Sequence, residues 1–163
     1  MKRLRVEPIS SYLERRRKGP IYPVMIANGF VYLSGLPPFD PATGDIKPAT
    51  FERQAELVLD QMKLCLETAG SSLAQVLKCN VYCTPNPSHF TTFNEVYARY
   101  FPSESPAASF CMSRLSPGRS MSRWIAWRWC ESSAHATGHP EISIRLGLAV
   151  HAVLQEMPLP MQR

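Results

Sequence analysis

Asn28-Gly29-Phe30-Val31-Tyr32-Leu33-Ser34-Gly35 is the stretch from which the fold can be worked outward. Asn-Gly readily supplies two successive residues at positive φ, which a tight two-residue hairpin turn demands. The run Phe30 to Leu33 after it reads as the second strand of that hairpin, and the apolar run Ile21 to Ile26 before it as the first. Pro23 cannot donate to a ladder, so the first strand is expected at a sheet edge. Ser34-Gly35 ends the second strand. The next segment, Pro37-Pro38-Phe39-Asp40-Pro41-Ala42-Thr43-Gly44, is dense in turn formers and reads as a loop.

Beyond the loop, Thr50 is placed to cap a helix on which Ala55, Val58, Leu59, Met62, Leu66 and Ala69 recur at helical spacing, with Gly70 closing it. Val76 to Cys83 alternates, with Leu77, Cys79, Val81 and Cys83 on one face and Lys78 and Asn80 on the other. Ser88 opens a second helix that runs to Phe101 and is stopped by Pro102. Phe90, Phe93, Tyr97 and Phe101 are its expected core stripe, and Ala107 to Leu115 reads as a further strand. The element order predicts an α+β fold, a mixed sheet with two helices packed on one face.

With 163 residues, 45% of them hydrophobic and 19% charged, the chain suits one globular domain. The net charge of +5 is concentrated at the start, in Lys2, Arg3, Arg5, Arg15, Arg16, Arg17 and Lys18. Residues 1–18 are therefore expected to be a flexible basic leader, followed by a domain over 19–118 and an atypical tail over 119–163. No aromatic residues alternate with the basic run, which argues against a nucleic-acid partner. Glu7 and Glu14 interrupt any secretory signal, and no stretch approaches the ~18 apolar residues of a membrane span. A cytoplasmic location with no membrane partner is the expectation. The five cysteines form no CxxC pair, so neither a disulfide framework nor a metal site is expected, and Cys79 and Cys83 read as core.

Four segments in order carry a resemblance. They are Asn28 to Gly35 with Asp40-Pro41-Ala42-Thr43-Gly44, then Ala69-Gly70-Ser71-Ser72-Leu73 with Val76 and Lys78, then Phe90 to Phe101, and Pro106-Ala107. Together, from about Ile21 to Gly118, they resemble the Rid (reactive intermediate deaminase, YjgF-like) family, once labelled translation inhibitors. The resemblance implies a homotrimer with clefts between subunits. It also implies hydrolysis of enamines and imines, such as 2-iminoacids, to 2-keto acids and ammonia, with no cofactor. An arginine clamps the substrate carboxylate in such proteins, and a glutamate on the last strand positions water. Ser34 and Gly35 match the strand end that lines the cleft, Asn94 a polar helix residue, and Tyr22, one position off, a tyrosine near the cleft. Ser34 ending a strand and Asn94 bridging backbone are the structural alternatives. The catalytic residues are not assigned.

Two departures stand out. The arginine position of the Pro-Ala-Arg motif is Ala108, within Pro106-Ala107-Ala108-Ser109. Losing a bidentate charge-assisted contact costs on the order of 2–5 kcal/mol of substrate binding. Arg114 lies six residues on, ~20 Å away at the strand rise of about 3.3 Å per residue, too far to substitute. A non-catalytic protein that binds a small metabolite or plays a regulatory role is therefore the alternative to an imine deaminase.

The second departure is Arg119-Ser120-Met121-Ser122-Arg123-Trp124-Ile125-Ala126-Trp127, where the resemblance implies a final strand carrying the glutamate. Encoded as CGT TCG ATG TCG AGA TGG ATT GCG TGG with one C restored after Gly118, this run reads Pro-Phe-Asp-Val-Glu-Met-Asp-Cys-Val. The alternative is a true extension with a helix around Leu146 to Leu154. Resequencing the coding DNA is expected to show one further base after the Gly118 codon, whereas an intact frame there overturns the deletion reading.

Overall fold

The computed structural model describes residues 1–112 and 147–149. In chain order they form β1 (Lys2–Leu4), α1 (Ile9–Arg17), β2 (Val24–Ala27), β3 (Phe30–Leu33), β4 (Gly35–Leu36), α2 (Phe51–Thr68), β5 (Lys78–Cys83), α3 (His89–Tyr100), β6 (Ala107–Met112) and β7 (Gly147–Ala149). The fold is α+β, as expected.

The hairpin forms where Asn28-Gly29 places it. Both residues have positive φ, 51° and 76°, and Ala27 pairs with Phe30 across the turn. The expected edge position of the first strand is corrected. β2 lies between β1 and β3, because Leu4 and Lys2 pair with Val24 and Ile26 on its other side. Pro23 falls just ahead of the paired residues, so its missing N–H costs no ladder bond.

The single expected sheet is two. A bend at Ser34, whose N–H donates to Pro23 O at 2.9 Å, separates β1-β2-β3 from a four-stranded sheet ordered β4-β7-β5-β6. In the latter, β5 and β6 are parallel, while β7 is antiparallel to both β4 and β5. Parallel neighbours require a crossover, and α3 supplies it.

α2 begins as expected, the Thr50 hydroxyl accepting the Arg53 N–H at 3.3 Å, and ends at Gly70 with φ 80°. It packs on α3, β3 and β4. Ala55, Leu59, Met62, Cys65 and Leu66 are fully buried with Cys79 and Val81 of β5 in one core. Two members of the expected apolar faces are not core. Leu77 precedes β5 and is 45% exposed, and Phe90, 51% exposed, sits edge-on to Phe110 at 5.3 Å. Phe93, Tyr97 and Phe101 are buried as expected.

Residues 1–18 are not a flexible leader. β1 joins a sheet, and α1 buries Ile9, Tyr12 and Leu13, while Val6 ahead of it is 1% exposed. Ser10 Oγ, itself buried, accepts the Val6 N–H at 2.9 Å. Arg5 pairs with Glu14 and, at 2.8 Å, with Glu7. The basic side chains of α1 lie on the exposed side of an amphipathic helix, which is why counting charge alone misread it. Of the tail, Gly147–Ala149 is a strand where a helix over Leu146 to Leu154 was the alternative, and it fills a slot in the four-stranded sheet. Arg114 and residues 119–127 lie outside the described residues.

Leu59 is fully buried at the α2 face of the core. Leu59→Ala is expected to destabilise the fold by about 2–5 kcal/mol, read as a lower urea midpoint with an unchanged slope.

Candidate functional site

The sequence-predicted residues fall into two groups. Tyr22, Ser34 and Gly35 form the first. Because the Ser34 N–H is bound to Pro23 O, Tyr22 enters beside the bend, and it is 38% exposed. The Ser34 hydroxyl is buried, with no hydrogen-bond partner among the described residues. A buried hydroxyl without a partner carries a desolvation penalty, which a polar group brought by another molecule would relieve. Gly35 opens β4.

Asn94 and Ala108 form the second group. Asn94 is exposed on α3, one residue after Phe93, whose ring packs 5.6 Å from that of Phe110. Ala108, exposed on β6, is the register partner of Cys79 and lies two residues before Phe110 on the same strand face. Ala108 sits on the free edge of the sheet, since β6 has no neighbour beyond it among the described residues, and Asn94 lies on the helix whose Phe93 packs against that strand.

A single chain does not join the two groups. Register runs in one row from Gly35 to Ala149, Asn80 and Ser109. Three strand spacings therefore separate Gly35 from Ser109, about 14 Å at roughly 4.8 Å each. The cation nearest in sequence to this row, Lys78, donates to Ser109 Oγ at 2.8 Å, and register places it on the opposite sheet face from Ala108. It is thus not a replacement for the arginine.

The buried thiols are poor nucleophiles. Burial pushes the Cys65 thiol up to about 12 and the Cys83 thiol up to about 11, and that of Cys79 upward as well. No group of three or more His, Cys, Asp or Glu side chains suited to a metal ion occurs among the described residues. No helix among them is long and apolar enough to cross a membrane.

The loop after β4 is built closely. Asp40 Oδ1 accepts from the N–H groups of Ala42 and Thr43 at 2.9 and 3.1 Å, and Oδ2 pairs with Lys47 at 2.8 Å. Gln61 of α2 donates to Pro37 O at 3.0 Å. From the other side Tyr12 Oη donates to Pro41 O at 2.6 Å and Arg15 Nη2 to Thr43 O at 2.8 Å. Sequence reasoning missed Tyr12 and Arg15. The signal was the helical spacing of Ile9, Tyr12 and Leu13 beneath the charge.

The model of the family Ribonuc_L-PSP, described as Endoribonuclease L-PSP, matches residues 17–120. The chain belongs to this family, also known as YjgF/Rid. A RutC family protein of Pyrococcus horikoshii is 39% identical over 89 residues, 55% of this chain and 70% of that protein. Reactive Intermediate Deaminase A, chloroplastic, of Arabidopsis thaliana is 37% identical over 91 residues, 56% of this chain and 48% of that protein. Among solved structures, a Thermotoga maritima protein with an endoribonuclease label superposes with TM-score 0.67 at 28% identity, covering 95% of this chain and 99% of that one. Escherichia coli TdcF with bound serine gives 0.59 at 27%, covering 84% and 90%. Family neighbours of this Rid chain thus include one that holds a small molecule.

The Lys47 ammonium foremost, with the two loop N–H groups, holds the Asp40 carboxyl below the usual carboxylate range. Its contribution to the loop is complete above the unfolded value near pH ~4 and is lost as pH falls through the lower folded value. The protection of the Gly44 amide, which donates to Asp40 O at 2.7 Å, taken as its exchange rate relative to the intrinsic rate at the same pH, is expected to fall only on acidification below that range. In Asp40→Asn the acid dependence should vanish.

Proposed function

We propose that this Rid-family chain holds a small imine or enamine derived from a 2-amino acid in a cleft between copies of itself, and hydrolyses it to a 2-keto acid and ammonia. The observation that carries this reading is the separation of the two residue groups by about 14 Å across one sheet. Only a second copy, as in a homotrimer, brings the Tyr22–Ser34–Gly35 bend of one chain against the Asn94–Ala108 edge of another. The unpartnered Ser34 hydroxyl supplies a hydrogen bond to the ligand or to the attacking water. Asn94, exposed on α3, supplies both a donor and an acceptor from the other side. The names of the Arabidopsis relative and of the serine-bound neighbour support the substrate class.

The reaction is a hydrolysis. An enamine first takes a proton at its β-carbon and gives up an N–H proton to become the imine. Water then adds across the C=N bond, and as the C–N bond breaks the hydroxyl proton passes to nitrogen, leaving the carbonyl and ammonia. Holding an unstable imine beside water in the correct orientation lowers the barrier without a covalent intermediate.

Ala108 favours a second reading. Without a guanidinium at the edge, the cleft binds a neutral or weakly charged metabolite and turns nothing over, in a regulatory role. A coupled assay separates the two. 2-Iminopropionate is generated by an amino-acid oxidase, and its decay is timed with and without the protein. Under the hydrolase reading decay accelerates, Ser34→Ala and Asn94→Ala each slow it, and Ala108→Arg lowers KM by about tenfold or more through a bidentate carboxylate contact. No acceleration by a folded protein or by its Ala108→Arg variant supports the binding reading instead.

A further inference from the structure

The family match begins at residue 17, so β1 and nearly all of α1 lie outside it. These residues nevertheless grip the loop that continues the Ser34–Gly35 bend. Tyr12 Oη donates to Pro41 O at 2.6 Å, and the Tyr12 ring meets Phe39 edge-on at 5.5 Å. Arg15 donates to Thr43 O at 2.8 Å, and the Arg16 guanidinium stands 5.4 Å over the Phe39 ring. Gly44, at φ 72°, fits so closely under α1 that a Cβ there would lie 2.1 Å from Tyr12 Cδ1 and 2.5 Å from Arg15 Nη2. On the other flank α2 fixes Pro37 O through Gln61. Phe39 itself is 1% exposed.

We propose that α1 is a clamp that sets the position of the Ser34–Gly35 rim through the loop 37–45, and that Tyr12 is its positioning residue. As a statement about binding at the rim it rests on the site proposed above. As a statement about the loop it does not. The chain path makes the connection short. Only Leu36 separates Gly35 from Pro37, and Pro37 to Gly44 is held by α2 at one end and by α1 along the rest. With the rim held between the Pro23 carbonyl and this doubly pinned loop, the Ser34 hydroxyl keeps one orientation. A site whose first polar contact is held by a second layer of hydrogen bonds binds with less ordering cost.

Two variants, with Tyr12→Trp as a third for control, test the clamp in the full-length chain. Tyr12→Phe keeps the ring on Phe39 and removes only the bond to Pro41 O. Gly44→Ala forces the loop away from α1 through the Cβ contact. Amide exchange at Gly44 and Ser34 is expected to rise about three- to tenfold in Tyr12→Phe, the loss of one hydrogen bond from a local opening, while the amides of Leu59 and Leu66 in α2 keep their wild-type rates. Gly44→Ala should raise the same two amides further. With 2-iminopropionate as substrate, both variants should raise KM with kcat retained, and Tyr12→Trp, which restores a donor but not its position, should not rescue. Unchanged exchange at Ser34 overturns the clamp, and so does a uniform rise that includes Leu59 and Leu66, which marks global destabilisation alone. Should the wild-type protein turn over no imine, the hydrolase reading fails by itself, and Ser34 exchange still decides whether α1 positions the rim.

Discussion

The parallel pairing of β5 with β6 constrains the rest of the molecule. Parallel neighbours cannot be joined by a hairpin, so the chain must cross from the end of β5 to the start of β6, and α3 makes that crossing. The crossing helix needs an apolar face to lie on. Cys79, Val81 and Cys83, all 3% exposed or less, provide it together with the buried side of α2. Once α3 is seated there, Phe93 packs on Phe110 and ties the helix that carries Asn94 to the strand that carries Ala108. The same sheet then keeps them away from Ser34, because β7 and β5 intervene. The division of the candidate residues into two groups is thus a consequence of strand order and not of any local feature of the residues themselves.

The N-terminal segment shows how charge conceals packing. Arg15, Arg16 and Arg17 fall in consecutive positions, yet a helix sends consecutive residues about 100° apart, so the basic run leaves room for a buried stripe at Ile9, Tyr12 and Leu13. Two of the arginines also act at short range, Arg15 on a carbonyl and Arg16 over an aromatic ring. β1 gains a partner in β2 and in turn relieves β2 of an open edge.

In the proposed site, Ala108 stands where the family resemblance implies an arginine. Alanine leaves an exposed methyl on β6, whose described residues include no cation, and Lys78 is committed to Ser109 across the sheet on the other side. The polar groups of the proposed site, the hydroxyl of Ser34 and the amide of Asn94, suit hydrogen bonding to a small ligand more than tight capture of an anion. The buried cysteines, held as neutral thiols, serve packing.

Much of this was legible in the residues. Asn28-Gly29 determined the hairpin and its turn geometry, Thr50 and Gly70 the limits of α2, and the alternation through Cys79, Val81 and Cys83 the buried face of β5. Each is a local rule, satisfied within a few residues along the chain. The family segments put forward Tyr22, Ser34, Gly35, Asn94 and Ala108 as candidates by position. The burial of α1, the seat of β2 between two strands, the exposure of Phe90 and the placing of residues 147–149 between β4 and β5 were decided by the tertiary structure. So was the separation of the two halves of the site. Those outcomes depend on which surfaces meet after chain reversals tens of residues apart, and periodicity carries no information about distances across a sheet.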